Sequence, residues 1–183
     1  MSENKYSLIS IALEIVVTGG QDPQISCRAD AEAVVKASKF SPIGERGVCR
    51  FVRAADYSSK ERNSYFESAN DKTMIIIHIE GIEGVENIDD ILEVEEIDVV
   101  FIGPYDLSQS VGLSGQVDHP HVEELMKSVV NKALKKGKSV GTFVDNDIAA
   151  KKWRAHGVKY ISYSVDMGMI YDKFKEVVDQ FND

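Results

Sequence analysis

The chain has 183 residues, of which 43% are hydrophobic and 28% charged, with 13 glycines and 4 prolines. This composition excludes the disordered, collagen-like and disulfide-scaffold classes and predicts one soluble domain with a hydrophobic core. Twenty-one basic residues against 30 acidic ones give a formal net charge of -9. Because that charge repels phosphate backbones and anionic lipid headgroups, we expect no nucleic-acid partner and no membrane partner.

The apolar runs of the chain are short. The run at residues 75–77 falls far below the roughly 20 apolar residues that a bilayer crossing needs. The N-terminus lacks the basic start and apolar stretch of a signal peptide. The sequence therefore predicts a cytoplasmic protein.

The first elements in the chain are a helix, a poor strand and a second helix. Apolar residues within 8–16 share one helical face. A short strand is predicted near 21–25, although Asp22 and Pro23 both oppose a central position in a sheet. Residues 29–39 again have a helical pattern.

A segment without clear periodicity follows. Residues 41–57 combine proline, glycine and arginine, and we predict a long loop, a feature that is often functional in compact domains. Ser58 followed by Glu61 forms a possible capping box. It predicts a helix that runs to about Ala69.

The rest of the chain alternates apolar, β-branched runs with amphipathic helical patterns. Such runs are typical of strands that are covered on both faces in a parallel sheet. The strands are predicted over 73–79, 97–102, 139–144 and 158–163, and the helices near 86–93, 121–136, 147–155 and 167–181. The alternation predicts a single α/β domain over residues 1–183, built either as a doubly wound open sheet or as a (β/α) barrel.

In both architectures, ligands bind at the carboxyl ends of the strands, where two predicted strands are followed by acidic residues. Glu80 and Asp106 would project into the same mouth and could bind one hard divalent cation, Mg²⁺ or Mn²⁺. Alternatively, each carboxylate caps the following helix or stays solvated. His78 could bind substrate or move a proton, or it could be a hydrogen-bonded core histidine.

Several common sites are absent from the sequence. No GxGxxG, GxxxxGK[ST] or GxSxG motif occurs, which disfavours dinucleotide, P-loop and α/β-hydrolase sites. The acidic segment at residues 81–100 does not have the spacing of an EF-hand, and we interpret it as a solvated helix face. The carboxylates at the two strand ends remain the candidates for chemistry.

Three segments, in this order and spacing, resemble the motifs of the HpcH/HpaI aldolase and citrate lyase family. Residues 42–48 (PIGERGV) resemble its P-x-G-x-RG loop, and residues 78–80 (HIE) stand where Q-I-E is usual. Residues 103–108 (GPYDLS) match its G-P-x-D-L-S motif. The similarity extends from about Tyr6 to the C-terminus and is greater to the hydroxy-oxo-acid aldolase branch than to the coenzyme A thioester lyases.

The resemblance implies a fold, a cofactor and a set of site residues. The fold is a (β/α)8 TIM barrel, here lacking the first three strands. Glu80 and Asp106 would be the ligands of Mg²⁺ or Mn²⁺, with Co²⁺ as a third candidate. Pyruvate would be bound at His78, Pro104, Tyr105 and Asp106, where backbone amides would hold its carboxylate. The implied reaction is an aldolase-type carbon–carbon cleavage or formation, with pyruvate and an aldehyde or a hydroxy-oxo acid as partners.

The resemblance also leaves gaps. The general-base histidine and the substrate-binding arginine of the family fall in the missing N-terminal part, so no catalytic residue can be transferred to this chain. Asp22 departs from an apolar position of the family. Two alternatives therefore stay open: a non-catalytic protein that binds pyruvate and metal, and a coenzyme A thioester lyase. Because a partial barrel exposes sheet edges and apolar faces, we also expect a homo-oligomer.

Overall fold

The computed structural model describes residues 6–15 and 17–182 of the chain. It has one parallel sheet of five strands in the order β1-β2-β3-β4-β5. The strands are β1 (Gly19–Asp22), β2 (Met74–Ile79), β3 (Val99–Ile102), β4 (Ser139–Val144) and β5 (Tyr160–Tyr163). Every strand lies beside the next one in the chain, as in a (β/α) barrel, whereas a doubly wound sheet reverses its order. The fold is a partial barrel.

Helices connect the strands. They are α1 (Tyr6–Glu14), α2 (Arg28–Ser38), α3 (Arg62–Lys72), α4 (Ile82–Glu86), α5 (Ile88–Ile91), α6 (Pro104–Ser110), α7 (Pro120–Lys135), α8 (Asp147–Ala155) and α9 (Asp166–Asn182), with a 3-10 helix at Arg53–Ser58. Nowhere in the described ranges is a helix long and apolar enough to cross a membrane. Val16, which we placed on the first helical face, lies outside the described residues.

Two local predictions were wrong. The predicted capping box does not form, because α3 begins at Arg62 and its N-cap is Glu61, whose carboxylate accepts a hydrogen bond from the Ser64 amide at 2.7 Å. The helix predicted near 86–93 is instead the short pair α4 and α5, which meet at Asn87.

Strand β1 lies earlier than predicted. It ends at Asp22 because Pro23 has no amide hydrogen to donate to the sheet and Gln24 adopts a left-handed backbone with φ of 57°. Among the described residues, this strand pairs with β2 alone. Asp22 and Pro23, which are unfavourable in a central strand, are accommodated because β1 is an edge strand.

The two faces of the sheet carry different cores. The main core lies between the sheet and the helices, where alternate strand residues such as Ile77 and Val100 pack against the apolar stripe of α7. On the other face, Ile76, Val99 and Phe101 form a small cluster with Phe143. The polar residues that follow the strands lie beside this smaller cluster.

The sheet curls toward its smaller core. The Gln21 side-chain amide on β1 donates a hydrogen bond to the Tyr160 hydroxyl on β5. In a flat sheet these strands would lie about 19 Å apart, because neighbouring strands are about 4.8 Å apart. Contact between the two edge strands therefore requires a concave face, which is the inner side of the partial barrel.

Candidate active site

A cavity of about 390 Å³ opens at the carboxyl ends of β2, β3 and β4. Its walls are His78, Glu80, Phe101, Gly103, Pro104, Tyr105, Asp106, Phe143 and Asp145. The structure thus brings together all five residues that the sequence and the resemblance selected as site residues. Their roles remain predictions.

Glu80 is held by two hydrogen bonds. Its Oε1 accepts from the Gln24 amide at 2.9 Å, and its Oε2 lies 3.4 Å from His78 Nδ1. The hydrogen bond with His78 lowers the pKa of Glu80, the Gln24 amide lowers it further, and burial of the carboxylate opposes both. The side chain is therefore a fixed anion on the cavity wall.

Gly103 leaves the space that Glu80 occupies. A Cβ atom at this position would lie 2.8 Å from Glu80 Oε2 and 2.9 Å from Glu80 Cβ. The backbone angles of Gly103 are ordinary, with φ of -89° and ψ of 94°. Close packing against Glu80, rather than an unusual turn, explains the glycine that opens the GPYDLS motif.

His78 has a fixed orientation on the neighbouring wall. Its Nε2 lies 3.0 Å from Gln21 Oε1, and its ring stacks on Phe101 with centroids 4.6 Å apart. Both ring nitrogens thus face side-chain oxygens. His78 is half-buried and hydrogen-bonded, as expected for a core histidine. It also lines the cavity, so it could contact a substrate.

The GPYDLS segment starts α6. Gly103 is the N-cap and Pro104 occupies the first turn, a position that suits proline because its missing amide hydrogen would have no partner in the helix. Pro104 therefore cannot donate to a pyruvate carboxylate, and only the Tyr105 and Asp106 amides of the three predicted residues can. Tyr105 and Asp106 are exposed, whereas Pro104 is buried.

Asp145 and Gln21 were missed by the sequence analysis. The Tyr105 hydroxyl donates to Asp145 Oδ2 at 2.7 Å, which raises the pKa of Tyr105, and its ring packs edge-on against Phe143. Asp145 directly follows β4, just as Glu80 directly follows β2. The same positional rule could have found it. Gln21 gave no signal, because its contact with His78 depends on the pairing of β1 with β2.

The donor set fits a hard divalent cation only in part. Three carboxylates line the cavity, but within the described part of the chain no group of three or more histidine, cysteine, aspartate and glutamate side chains is placed to hold a metal ion. Glu80 and Asp106 would thus supply two oxygen ligands. Water and substrate oxygens would complete the shell, as is common for Mg²⁺.

Comparison with known proteins identifies the family. The sequence profile of HpcH/HpaI aldolase/citrate lyase matches residues 5–172. The chain belongs to the HpcH/HpaI aldolase/citrate lyase family. The solved structure of an HpcH/HpaI family protein from Burkholderia cenocepacia superposes with a TM-score of 0.93 at 29% identity, covering 99% of this chain and 71% of that one. The family and the partial barrel expected from the three motifs are confirmed.

Two relatives of this chain are named as aldolases. The 2-keto-3-deoxy-L-rhamnonate aldolase of Klebsiella pneumoniae is 36% identical over 170 residues, covering 92% of this chain and 62% of the relative. The hydroxypyruvate/pyruvate aldolase of Cupriavidus necator is 28% identical over 177 residues, covering 96% of this chain and 65% of the relative. The chain thus spans about two thirds of the length of these aldolases.

Proposed function

We propose that this chain carries the metal and pyruvate site of an aldolase that cleaves or forms a hydroxy-oxo acid through a pyruvate enolate. The observation that carries the proposal is the meeting of Glu80, Asp106 and the first turn of α6 in one cavity. The similarity to a 2-keto-3-deoxy-L-rhamnonate aldolase and to a hydroxypyruvate/pyruvate aldolase supports it. We further propose a homo-oligomer in the cytoplasm.

Glu80 and Asp106 would hold the cation, Mg²⁺ or Mn²⁺ in the first instance and Co²⁺ as a third candidate. When bound, the cation supplies Lewis-acid stabilisation of the negative charge that develops on the keto oxygen. The His78 and Gln24 hydrogen bonds keep Glu80 ionised and oriented for this role.

The protein groups act on the organic substrate. In cleavage, the bond between C3 and C4 of the hydroxy-oxo acid breaks and its electron pair stays on C3 as the enolate. The C4 hydroxyl loses its proton to a base and becomes the aldehyde carbonyl, and C3 then takes a proton to give the pyruvate methyl group. The Tyr105 and Asp106 amides would hold the carboxylate, and His78, fixed by Gln21 and Phe101, would contact the substrate.

One alternative keeps the same site without turnover. The second candidate is a protein that binds pyruvate and a metal ion at Glu80 and Asp106 and does not turn the substrate over. A coenzyme A thioester lyase would share the metal chemistry, and cleavage of a malyl or citryl thioester would promote that function instead.

Proton exchange separates these functions. We expect the chain, incubated with Mn²⁺ and pyruvate in D₂O, to exchange the pyruvate methyl protons, as followed by NMR after removal of the metal. Glu80→Gln should abolish the exchange, while Glu83→Gln, an exposed carboxylate on the adjacent helix, should retain it. Saturable pyruvate binding without exchange would instead establish the non-catalytic function.

A further inference from the structure

The side chains of Tyr105, Phe143 and Asp145 form a cavity wall to which the proposed pyruvate site, which uses only the backbone amide of Tyr105, gives no role. Tyr105 and Asp145 are joined by a hydrogen bond of 2.7 Å, and the Tyr105 ring lies edge-on to Phe143 with centroids 6.1 Å apart. Glu80, His78 and Phe101 line another part of the cavity, where the His78 ring stacks on the Phe101 ring. The Tyr105–Asp145 pair is therefore assembled before any ligand binds.

This wall presents hydrogen-bond acceptors and negative charge. One Asp145 oxygen accepts the hydrogen bond from the Tyr105 hydroxyl, which leaves the other carboxylate oxygen and the lone pairs of the phenol oxygen able to accept from a ligand. No lysine or arginine of residues 6–15 and 17–182 lines the cavity, whereas Glu80, Asp106 and Asp145 all do. A substrate group here would be favoured if it donates a hydrogen bond and disfavoured if it is an anion.

The cavity has room for a second reactant. Pyruvate has three carbons and would fill only part of about 390 Å³. In the synthetic direction, C3 of the enolate forms a bond to the aldehyde carbon, and the aldehyde oxygen takes a proton and becomes the new hydroxyl. The aldehyde must therefore lie beside pyruvate, in the part of the cavity that Glu80 and Asp106 leave open.

We propose that Tyr105 and Asp145 select the aldehyde partner, favouring an uncharged aldehyde with a neighbouring hydroxyl over one that carries a carboxylate. The inference rests on the proposed function and deepens it. A hydroxyl can donate to the free Asp145 oxygen, forming a charge-assisted hydrogen bond. A carboxylate in the same place meets a like charge with no cationic partner on the wall.

The test compares three aldehydes with the Mn²⁺-loaded chain and pyruvate. Glycolaldehyde carries the hydroxyl, propionaldehyde replaces it with a methyl group of similar size, and succinic semialdehyde carries a carboxylate. We expect kcat/KM for glycolaldehyde to exceed that for propionaldehyde by about tenfold or more, the size of one hydrogen bond to a charged group. Succinic semialdehyde should be the poorest substrate.

Variants assign this preference to the wall. Asp145→Leu should reduce the preference for glycolaldehyde over propionaldehyde to near unity, and Asp145→Asn should improve succinic semialdehyde relative to glycolaldehyde. Asp147→Asn is the matched control, because Asp147 accepts a hydrogen bond from the Tyr163 hydroxyl at 3.0 Å and does not line the cavity. Ratios of kcat/KM cancel any loss of active protein that is common to all aldehydes.

Two readouts distinguish the possible failures. If the unmodified chain does not exchange the pyruvate methyl protons in the absence of aldehyde, the proposed function fails and this inference falls with it. If exchange occurs but the aldehyde ratios of the Asp145 variants equal those of the unmodified chain, only the selection by Tyr105 and Asp145 is overturned. If the pyruvate methyl protons exchange but pyruvate does not add to glycolaldehyde, the selection by Tyr105 and Asp145 is overturned as well.

Discussion

Glu80 is the side chain on which most contacts of the site converge. Its carboxylate accepts a hydrogen bond from the Gln24 backbone amide, lies within hydrogen-bond distance of His78 and packs closely against Gly103. These contacts fix the carboxylate before any ligand binds. Preorganisation of this kind reduces the free-energy cost of binding, because little reordering is left to do.

Gly103→Ala tests the close packing against Glu80. The new Cβ would lie 2.8 Å from Glu80 Oε2, so the carboxylate must move, and we expect Mn²⁺ affinity to fall by about tenfold or more, as measured by titration with paramagnetic resonance detection. Gly47→Ala is the control, since a Cβ there meets no atom within 4 Å. Equal affinities of the two variants would contradict the packing argument.

Asp22 is the other residue with unusual surroundings. It is 1% exposed, and neither carboxylate oxygen has a hydrogen-bond partner among the residues that the structure describes. Burial raises the pKa of Asp22 from 3.8 to about 6, although the charge of His78 opposes the shift. The folded chain thus retains a proton on Asp22 at pH values where the unfolded chain has lost it.

Asp22→Asn should stabilise the chain near neutral pH. Since the folded state binds the proton more tightly, the free energy of unfolding falls as pH rises from about 4 to about 6 and stays lower above that range. At pH 7 the free energy of unfolding is lower by about 3 kcal/mol than it is near pH 4. Asp22→Asn should recover much of this loss at pH 7, and near pH 4 its free energy of unfolding should equal that of the unmodified chain. Urea unfolding at several pH values measures this, with exposed Asp71→Asn as the control. A pH profile unchanged by Asp22→Asn would refute the assignment.

At the scale of elements, the sequence predicted the strands that lie inside the sheet. The run at 73–79 became β2 at Met74–Ile79, because β-branched side chains suit a strand that packs on both faces. Strand β1 was misplaced because Gly-Gly-Gln-Asp has low β propensity. It is a strand because β2 offers a complete row of backbone partners. Tertiary pairing outweighed local preference here.

The same distinction applies to the site. Glu80 and Asp106 could be located from sequence, because their position after a strand depends on the chain order alone. The hydrogen bonds from His78 to Gln21 and from Tyr105 to Asp145 could not, since they join residues 57 and 40 positions apart. Such contacts depend on strand register and sheet curvature.

The start of α8 provides a test at this scale. Asn146 is its N-cap and accepts from the Ala149 amide at 2.9 Å. Asn146→Ala should lower the free energy of unfolding by about 1 kcal/mol, because an amide of the first turn loses its acceptor. Asn146→Ser should restore most of it in chemical denaturation, and equal losses in the two variants would exclude the capping role.

At the scale of the molecule, α9 exposes more large hydrophobic side chains than any other element of the described residues. Large hydrophobic side chains are exposed along most of its length: Met167, Met169, Ile170, Tyr171, Phe174, Val177, Val178 and Phe181. Several lie three or four residues apart and share a face. An exposed apolar face of this kind is typical of an interaction site, which agrees with the expected homo-oligomer.

Charge on this face should weaken self-association. We expect the double variant Ile170→Glu with Phe174→Glu to sediment as a smaller species than the unmodified chain, because two carboxylates would have to be buried in the contact. Lys175→Glu also adds negative charge to α9, outside the apolar stripe, and should leave the sedimentation coefficient unchanged. A double variant that sediments as the unmodified chain does would show that this face of α9 does not mediate self-association.

The hydrogen bond between Gln21 and Tyr160 has a consequence for the order of folding. It closes a loop of 139 residues, so it connects the two edge strands only after the three strands between them have paired. Contacts of such long sequence separation form late, since the entropy of closing the loop is lost before the contact is gained. Gln21 also orients His78. The final geometry of the cavity wall is thus completed at the end of folding, and unfolding that begins at either edge strand would disorder this wall before the inner strands separate.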